Sequence, residues 1–241
     1  MSVRWIVRTL GEICLTLGVL VALFVVYVVF WTGVRADRAM DREIAGLRGG
    51  WSAGPVPPGG RSPGDARGPS TAASGTAPRE RATPYPYGKP FAVMYVPRFG
   101  ADWAKPVLEG TSDDVLKRGL GHYERTARLG ATGNFAVAGH RRTHGDPFKD
   151  VPRLRPGDAV VLADGTHWFT YRVDHRPYTT PPTDIGVIAP VPRGSGHTRP
   201  GRYLTLTTCE PEWGHSHRLI VWAHLESTRP ATRGRPPAPP G

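Results

Sequence analysis

The residues best equipped for chemistry lie in TLTTCEPEWGHSHR, Thr205 to Arg218: one thiol, Cys209, two imidazoles, His215 and His217, and a guanidinium, Arg218. A thiol attacks as its thiolate, and an unperturbed cysteine with a pKa of about 8.5 supplies only a few per cent of that form at neutral pH. Cys209 therefore needs an imidazole or a cation close by. Besides the two loop histidines, His140 in NFAVAGHRRTHGDPF stands at the end of another strand-like run, and spacing alone does not choose among the three. Glu210 and Glu212 follow the thiol closely, and a carboxylate beside a thiol opposes its ionisation unless it is turned outward. The expectation is that Glu210 points away.

Each of these residues also has a plain structural reading. A lone cysteine is often a small buried apolar residue, and an isolated arginine is often a solvated charge. Cys209, His215 and His217 lack the CxxC pairing and the fourth ligand of a structural zinc site. HRRTH has histidines four apart but not the glutamate of HExxH, so zinc proteolysis is disfavoured. His122, His167, His175, His197 and His224 are read as structural or exposed.

The thiol must be positioned by strands. FAVMYVPRFG, NFAVAGHR, DAVVLADGTHWFTYRVDHRPY, DIGVIAP, RYLTLTTC and RLIVWAHL are short β-branched and aromatic runs punctuated by Gly, Pro and Asp. Within VLADGTHWFTYRV a DG turn between apolar segments marks a hairpin. Alternation along RYLTLTTC sends Leu204 and Leu206 to one face and Tyr203, Thr205, Thr207 and Cys209 to the other. In RLIVWAHL it groups Arg218, Ile220, Trp222 and His224, so antiparallel pairing of the two runs sets Cys209 and Arg218 at one loop mouth. SDDVLKRGLGHYERTA opens with a Ser or Asp cap for one short helix.

Ahead of these runs, ICLTLGVLVALFVVYVVFW, Ile13 to Trp31, is long enough to cross a bilayer as one helix. It lacks the short core and small-x-small site of a cleaved signal. Arg4 and Arg8 precede it and Arg35, Arg38 and Arg42 follow it, so positive charge does not settle its orientation. ADRAMDREIAGLRG extends the helix for a few turns, and the Gly, Pro and Ser-rich stretch after it reads as a mobile tether spanning roughly 30 to 40 Å. The tether holds the domain near the membrane without fixing its orientation. The expected organisation is a cytoplasmic segment (1–12), an anchor (13–31), a juxtamembrane segment and linker (32–86), a domain (87–226) and a disordered Pro-rich tail (227–241). With Cys14 in the anchor and Cys209 in the domain, a disulfide between them is geometrically improbable, and the domain thiol is free.

The formal net charge of +11 favours an anionic neighbourhood such as nucleic acid, anionic lipid or a wall polymer. Aromatic residues are not interleaved with basic runs, which lowers the nucleic-acid option. A non-enzymatic, membrane-anchored basic binding module with a structural Cys209 is the reading from a different class, and thiol reactivity discriminates it.

Taken in order, YVPRFG, VLEGTSDDVLKRGLGHYERTA, GNFAVAGHR, LRPGDAVVL, TLTTC and RLIVWAHL resemble a sortase, the cell-wall-anchoring cysteine transpeptidase of Gram-positive bacteria. GNFAVAGHRRTHGDPF and TLTTCEP, with the Pro-rich tether, are most similar to class E sortases of actinobacteria. The resemblance implies an all-β fold, a closed barrel of about eight strands with one or two short helices, preceded by a single transmembrane helix. It implies that Cys209 is the nucleophile, His140 the catalytic imidazole and Arg218 the stabiliser of substrate and oxyanion, with Thr208 lining the site. Neither cofactor nor metal is expected. The implied partners are secreted proteins bearing an LAxTG or LPxTG sorting signal, cleaved between Thr and Gly, and a peptidoglycan-precursor amine as acceptor; nucleic acid is not among them. Tyr95 is a candidate for recognising the second position of that signal, the alternative being ordinary packing. A pilus-polymerising sortase is the runner-up within the enzyme class. The implied location is the plasma membrane, with the N-terminus cytoplasmic and the catalytic domain outside.

Overall fold

The structure, a computed structural model, describes residues 3–52, 84–234 and 236. The Gly/Pro-rich linker expected up to residue 86 lies almost wholly outside the described residues, as does the end of the tail. Helix α1 runs unbroken from Val3 to Ser52, about 75 Å at 1.5 Å per residue. Its stretch Val7–Val25 is long and apolar enough to cross a bilayer and is not buried by the rest of the protein.

The remaining chain forms nine strands: β1 (Pro90–Tyr95), β2 (Ala104–Glu109), β3 (Leu120–His122), β4 (Gly133–Ala138), β5 (Ala159–Ala163), β6 (His167–Val173), β7 (Tyr178–Thr180), β8 (Arg202–Glu210) and β9 (His217–Pro230). Eight of them close into a barrel in the order β6-β5-β1-β2-β3-β4-β8-β9, with β9 pairing back onto β6 and β7 flanking β9. Inward positions of alternating strands, among them Met94, Phe135, Leu162, Leu204, Leu206 and Val221, fill the interior. The closed all-β barrel expected from the sequence is therefore the architecture.

Details differ where local signals compete. DIGVIAP, expected as a strand, contains the 3-10 helix Ile185–Ile188. It lies as a cover on the outer face of β8 and β9, where Val187 packs with Ile220 and Trp222 and its carbonyl accepts from Trp222 Nε1 at 3.1 Å and Thr205 Oγ1 at 3.3 Å. The helix expected in SDDVLKRGLGHYERTA is a single turn, α2 (Asp113–Leu116), because Leu120–His122 is taken up as β3 between β2 and β4. β9 runs four residues past the expected domain end at Glu226: Ser227 to Pro230 pair with Thr170 to His167, so the barrel's closing seam recruits residues assigned to the tail.

The second half of α1 packs onto the barrel. Ala36, Met40 and Ile44 are buried, and Ile44, Leu47 and Trp51 cover Val93, Tyr95, Val161 and Ala163 on the outer face of β1 and β5. Polar contacts fix the seam: Asp37 to Lys105 at 2.8 Å, Arg118 Nε to Glu43 at 2.9 Å, and Arg48 to the Tyr95 hydroxyl at 3.1 Å. The juxtamembrane segment thus fixes how the barrel sits on the helix, a constraint that a free tether does not supply.

Candidate active site

β4 and β8 run parallel, with Ala138 beside Thr207. Two further bonds extend the seam past the end of β4: Gly139 N–H donates to Thr207 O at 3.1 Å and Thr208 Oγ1 donates to Gly139 O at 2.8 Å. His140 is the next residue, so these bonds deliver it beside the end of β8, where Cys209 sits. Glycine at 139 permits this close approach, since a Cβ there would lie 2.6 Å from Phe148 and 2.7 Å from Leu120 and would displace them. On the other side, β8 and β9 pair antiparallel with Cys209 opposite Arg218. Opposed positions on one face bring side chains within about 5 Å at their Cβ atoms.

His140 and Cys209 line one cleft of about 210 Å³ with Arg142, Thr143, Trp213 and His215. Cys209 is half-buried and free, and Cys14 in α1 is also free. The His140 Nε2 is buried and has no hydrogen-bond partner. Its ring centre lies 4.8 Å from that of His144. Burial, reinforced by His144, lowers the His140 pKa below its ordinary value, which favours the neutral imidazole at neutral pH. A neutral ring can accept a proton from a thiol and return it to a leaving amine.

The acidic residues next to the thiol are engaged by arginines. Arg141, itself buried, donates to Glu210 at 2.9 Å and to the Cys209 carbonyl at 3.3 Å. Arg142 pairs with Glu212 and lies 5.2 Å over the Trp213 ring. Both carboxylates are thus neutralised from the segment that follows His140, and the two catalytic candidates share one electrostatic clamp. Sequence reasoning missed Arg141 and Arg142. The signal was present, because two arginines follow His140 and two glutamates follow Cys209.

Arg218 Nη1 donates to the carbonyls of His215 and His217, each at 3.1 Å. It also lines a second groove with Tyr123, Thr180, Asp184, Ile185 and Thr207, in which the Tyr123 hydroxyl lies 3.0 Å from Thr207 Oγ1. Thr207 lines this second groove and Cys209 the first, and the two residues share the outward face of β8. His215 is exposed in the β8–β9 loop, and His217, also exposed, opens β9 opposite Glu210.

Two sequence-derived assignments change. Thr208 does not line the cleft: it is buried, on the face of β8 shared with Leu204 and Leu206, and its hydroxyl is spent on Gly139. Tyr95 is not brought to the cleft either. β1 stands four strands from β8 in both directions around the barrel, and the ring faces outward, under α1 and 5.6 Å from Trp168. Packing accounts for it.

With this geometry in hand, comparison with known proteins is specific. A family model described as the sortase domain matches residues 94–226. Sortase SrtE1 of Streptomyces coelicolor is 37% identical over 238 residues, 96% of this chain and 60% of that protein. Sortase SrtE2 of the same organism is 31% identical over 96% of this chain and 86% of its own length. The chain thus spans less than two thirds of SrtE1. Among solved structures, sortase E from Streptomyces avermitilis is 71% identical with a TM-score of 0.60, covering 63% of this chain and 97% of its own. Sortase E1 from S. coelicolor, solved with a tripeptide in its active site, is 40% identical with a TM-score of 0.59, covering 62% and 95%.

Proposed function

Because this chain belongs to the sortase family, we propose that it is a class E cysteine transpeptidase that uses Cys209, His140 and Arg218 to cleave a sorting signal and pass its protein to an amine. One observation carries the reading: Cys209, opposite Arg218, shares a cleft with a buried His140 Nε2 that has no hydrogen-bond partner. The signal is of LAxTG or LPxTG type, cut between Thr and Gly. The acceptor is the amine of a peptidoglycan precursor.

The chemistry follows from the groups present. His140 takes the Cys209 proton, and Sγ attacks the Thr carbonyl carbon to give a tetrahedral oxyanion. Arg218, across the strand pair, moves from the loop carbonyls to that oxygen and offsets its charge. The C–N bond breaks, the imidazolium gives its proton to the departing Gly amine, and a thioester remains on Cys209. The acceptor amine then attacks the thioester and yields a proton to His140, and the new amide forms as the Cys209 sulfur leaves. Protons and electrons balance over the cycle.

α1 anchors the enzyme in the plasma membrane with its N-terminus inside and the barrel outside, where sorting substrates and wall acceptors are found. The test is to incubate the protein with short LAxTG and LPxTG peptides and an amine, beside Cys209→Ala, His140→Ala and Arg218→Ala. Amide product from the parent protein and none from Cys209→Ala supports the reading. Equal product from both removes it.

A further inference from the structure

The direction in which α1 leaves the barrel follows from its contacts. Trp51 lies over Gly165 in the β5–β6 turn, where a Cβ would come within 2.3 Å of the indole. Fourteen residues earlier, Asp37 reaches Lys105 at the start of β2. Asp37 and Met40 also crowd Gly145, whose Cβ would lie 2.9 and 3.0 Å from them, in the connection that follows His140. The strand pairings place the start of β2, the end of β4, the end of β8 and the start of β9 at one end of the barrel. The apolar part of α1 therefore projects from the end that carries Cys209. Trp31, the last residue of the apolar run, precedes Asp37 by only six positions, about 9 Å of helix. The headgroup layer itself is roughly 5 to 7 Å deep on each side.

That same end carries a basic cleft of about 220 Å³ lined by Arg98, Pro152, Arg153, Leu154, Arg155 and Arg176. Arg98 follows β1, the strand on which α1 packs, and holds Asp158 through two hydrogen bonds of 2.9 and 2.7 Å. Arg153 has Asp150 at 3.5 Å. Arg155 and Arg176 are exposed and make no ion pair among the described residues. Two acids thus face four guanidinium groups, a surplus of positive charge shaped for an oxyanion with several acceptor oxygens.

We infer that this arginine cleft binds the phosphate of an anionic phospholipid headgroup, tethering the Cys209 end of the barrel against the bilayer that α1 enters. The inference rests on α1 being the anchor. It gives the excess positive charge a location and a ligand, and it turns the cleft of Cys209 toward membrane-borne substrates. Surface arginines gain from the potential of an anionic leaflet only within about a Debye length, and the short stretch from Trp31 to Asp37 holds this end of the barrel close to the bilayer.

The test uses the full chain in vesicles of phosphatidylcholine alone or with phosphatidylglycerol, read by amide hydrogen exchange at 153–155 and 174–176. Phosphatidylglycerol should slow exchange in both segments. Arg155→Glu with Arg176→Glu should reduce that protection by on the order of tenfold. Arg125→Glu with Arg202→Glu, an equal charge change on exposed residues at the opposite barrel end, should leave it intact. Identical exchange in the two lipids, or equal loss in the two double variants, overturns the inference. Protection by inorganic phosphate alone in phosphatidylcholine vesicles also overturns it, assigning the cleft to a free anion. Carbonate extraction of the parent chain from phosphatidylcholine vesicles reports separately on α1: release from the membrane contradicts the anchor, and retention without lipid-dependent protection contradicts the cleft alone.

Discussion

Arg141 reaches from the segment after His140 to the Glu210 carboxylate at 2.9 Å and to the Cys209 carbonyl at 3.3 Å. One guanidinium therefore ties the imidazole-bearing segment to the thiol-bearing strand and occupies the carboxylate next to the thiol. Removing it exposes an acid to a nucleophile that must ionise. Arg141→Gln should slow alkylation of Cys209 at pH 7 by about three- to tenfold, and Arg141→Gln with Glu210→Gln should recover most of the loss. Glu210→Gln alone tests which way that acid acts: a large acid shift of its alkylation profile would mean that the carboxylate bears on the thiol despite Arg141.

Thr208 is a positioning residue, because its hydroxyl holds Gly139 O at 2.8 Å one residue before His140. Thr208→Val keeps the shape and deletes the donor, at a cost of about 1 kcal/mol plus misplacement of the imidazole. We expect a lower kcat at nearly constant KM, with Thr208→Ser retaining both the bond and the rate. A variant that loses stability but not kcat would show the bond to be structural only.

His140 should titrate below its ordinary value of about 6.5, because burial and then His144 oppose its protonation. NMR of the imidazole in Cys209→Ala measures this directly. Adding His144→Asn, which suits the positive backbone φ of 54° there, should raise the midpoint. The sign for stability follows. A folded pKa below the unfolded one means that stability is complete above about pH 6.5 and is lost as pH falls until His140 itself protonates. An unchanged midpoint in the double variant would remove His144 from the account.

Met40, on the barrel-facing side of α1, is almost fully buried and reaches Gly145. Met40→Ala in the full chain should weaken helix docking by about 2 to 3 kcal/mol. Hydrogen exchange would then rise in 36–51 and around Gly145 while the barrel core stays protected. Uniform exchange across the whole barrel would indicate global loss instead.

Much of the site was legible because its signals are local. The parity of TLTTC separates Leu204 and Leu206 from Cys209, and RLIVWAHL carries Arg218 to the opposite register position, as the pairing bears out. The approach of His140 was not legible from spacing, since it depends on parallel pairing of β4 with β8 across some seventy residues. β3 and β7 are three residues each and β2 contains Pro106, too little for a strand signal. Parity alone does not say that the outward face holding Tyr95 is covered. Its cover comes from Ile44, Leu47 and Trp51, part of a stripe with Ala36 and Met40 spaced four, four, three and four apart, readable in the sequence but overlooked beside the longer apolar run.

The central claim is that Cys209 carries the acyl group. Intact-mass measurement of the full chain in detergent, mixed with an LAxTG peptide and quenched in acid before amine is added, tests it most directly. The expected result is an adduct equal to the peptide up to its Thr, mapped to Cys209, absent in Cys209→Ala and discharged when an amine is supplied. Turnover of the peptide by Cys209→Ala at the parent rate, or an adduct on another residue, would contradict it.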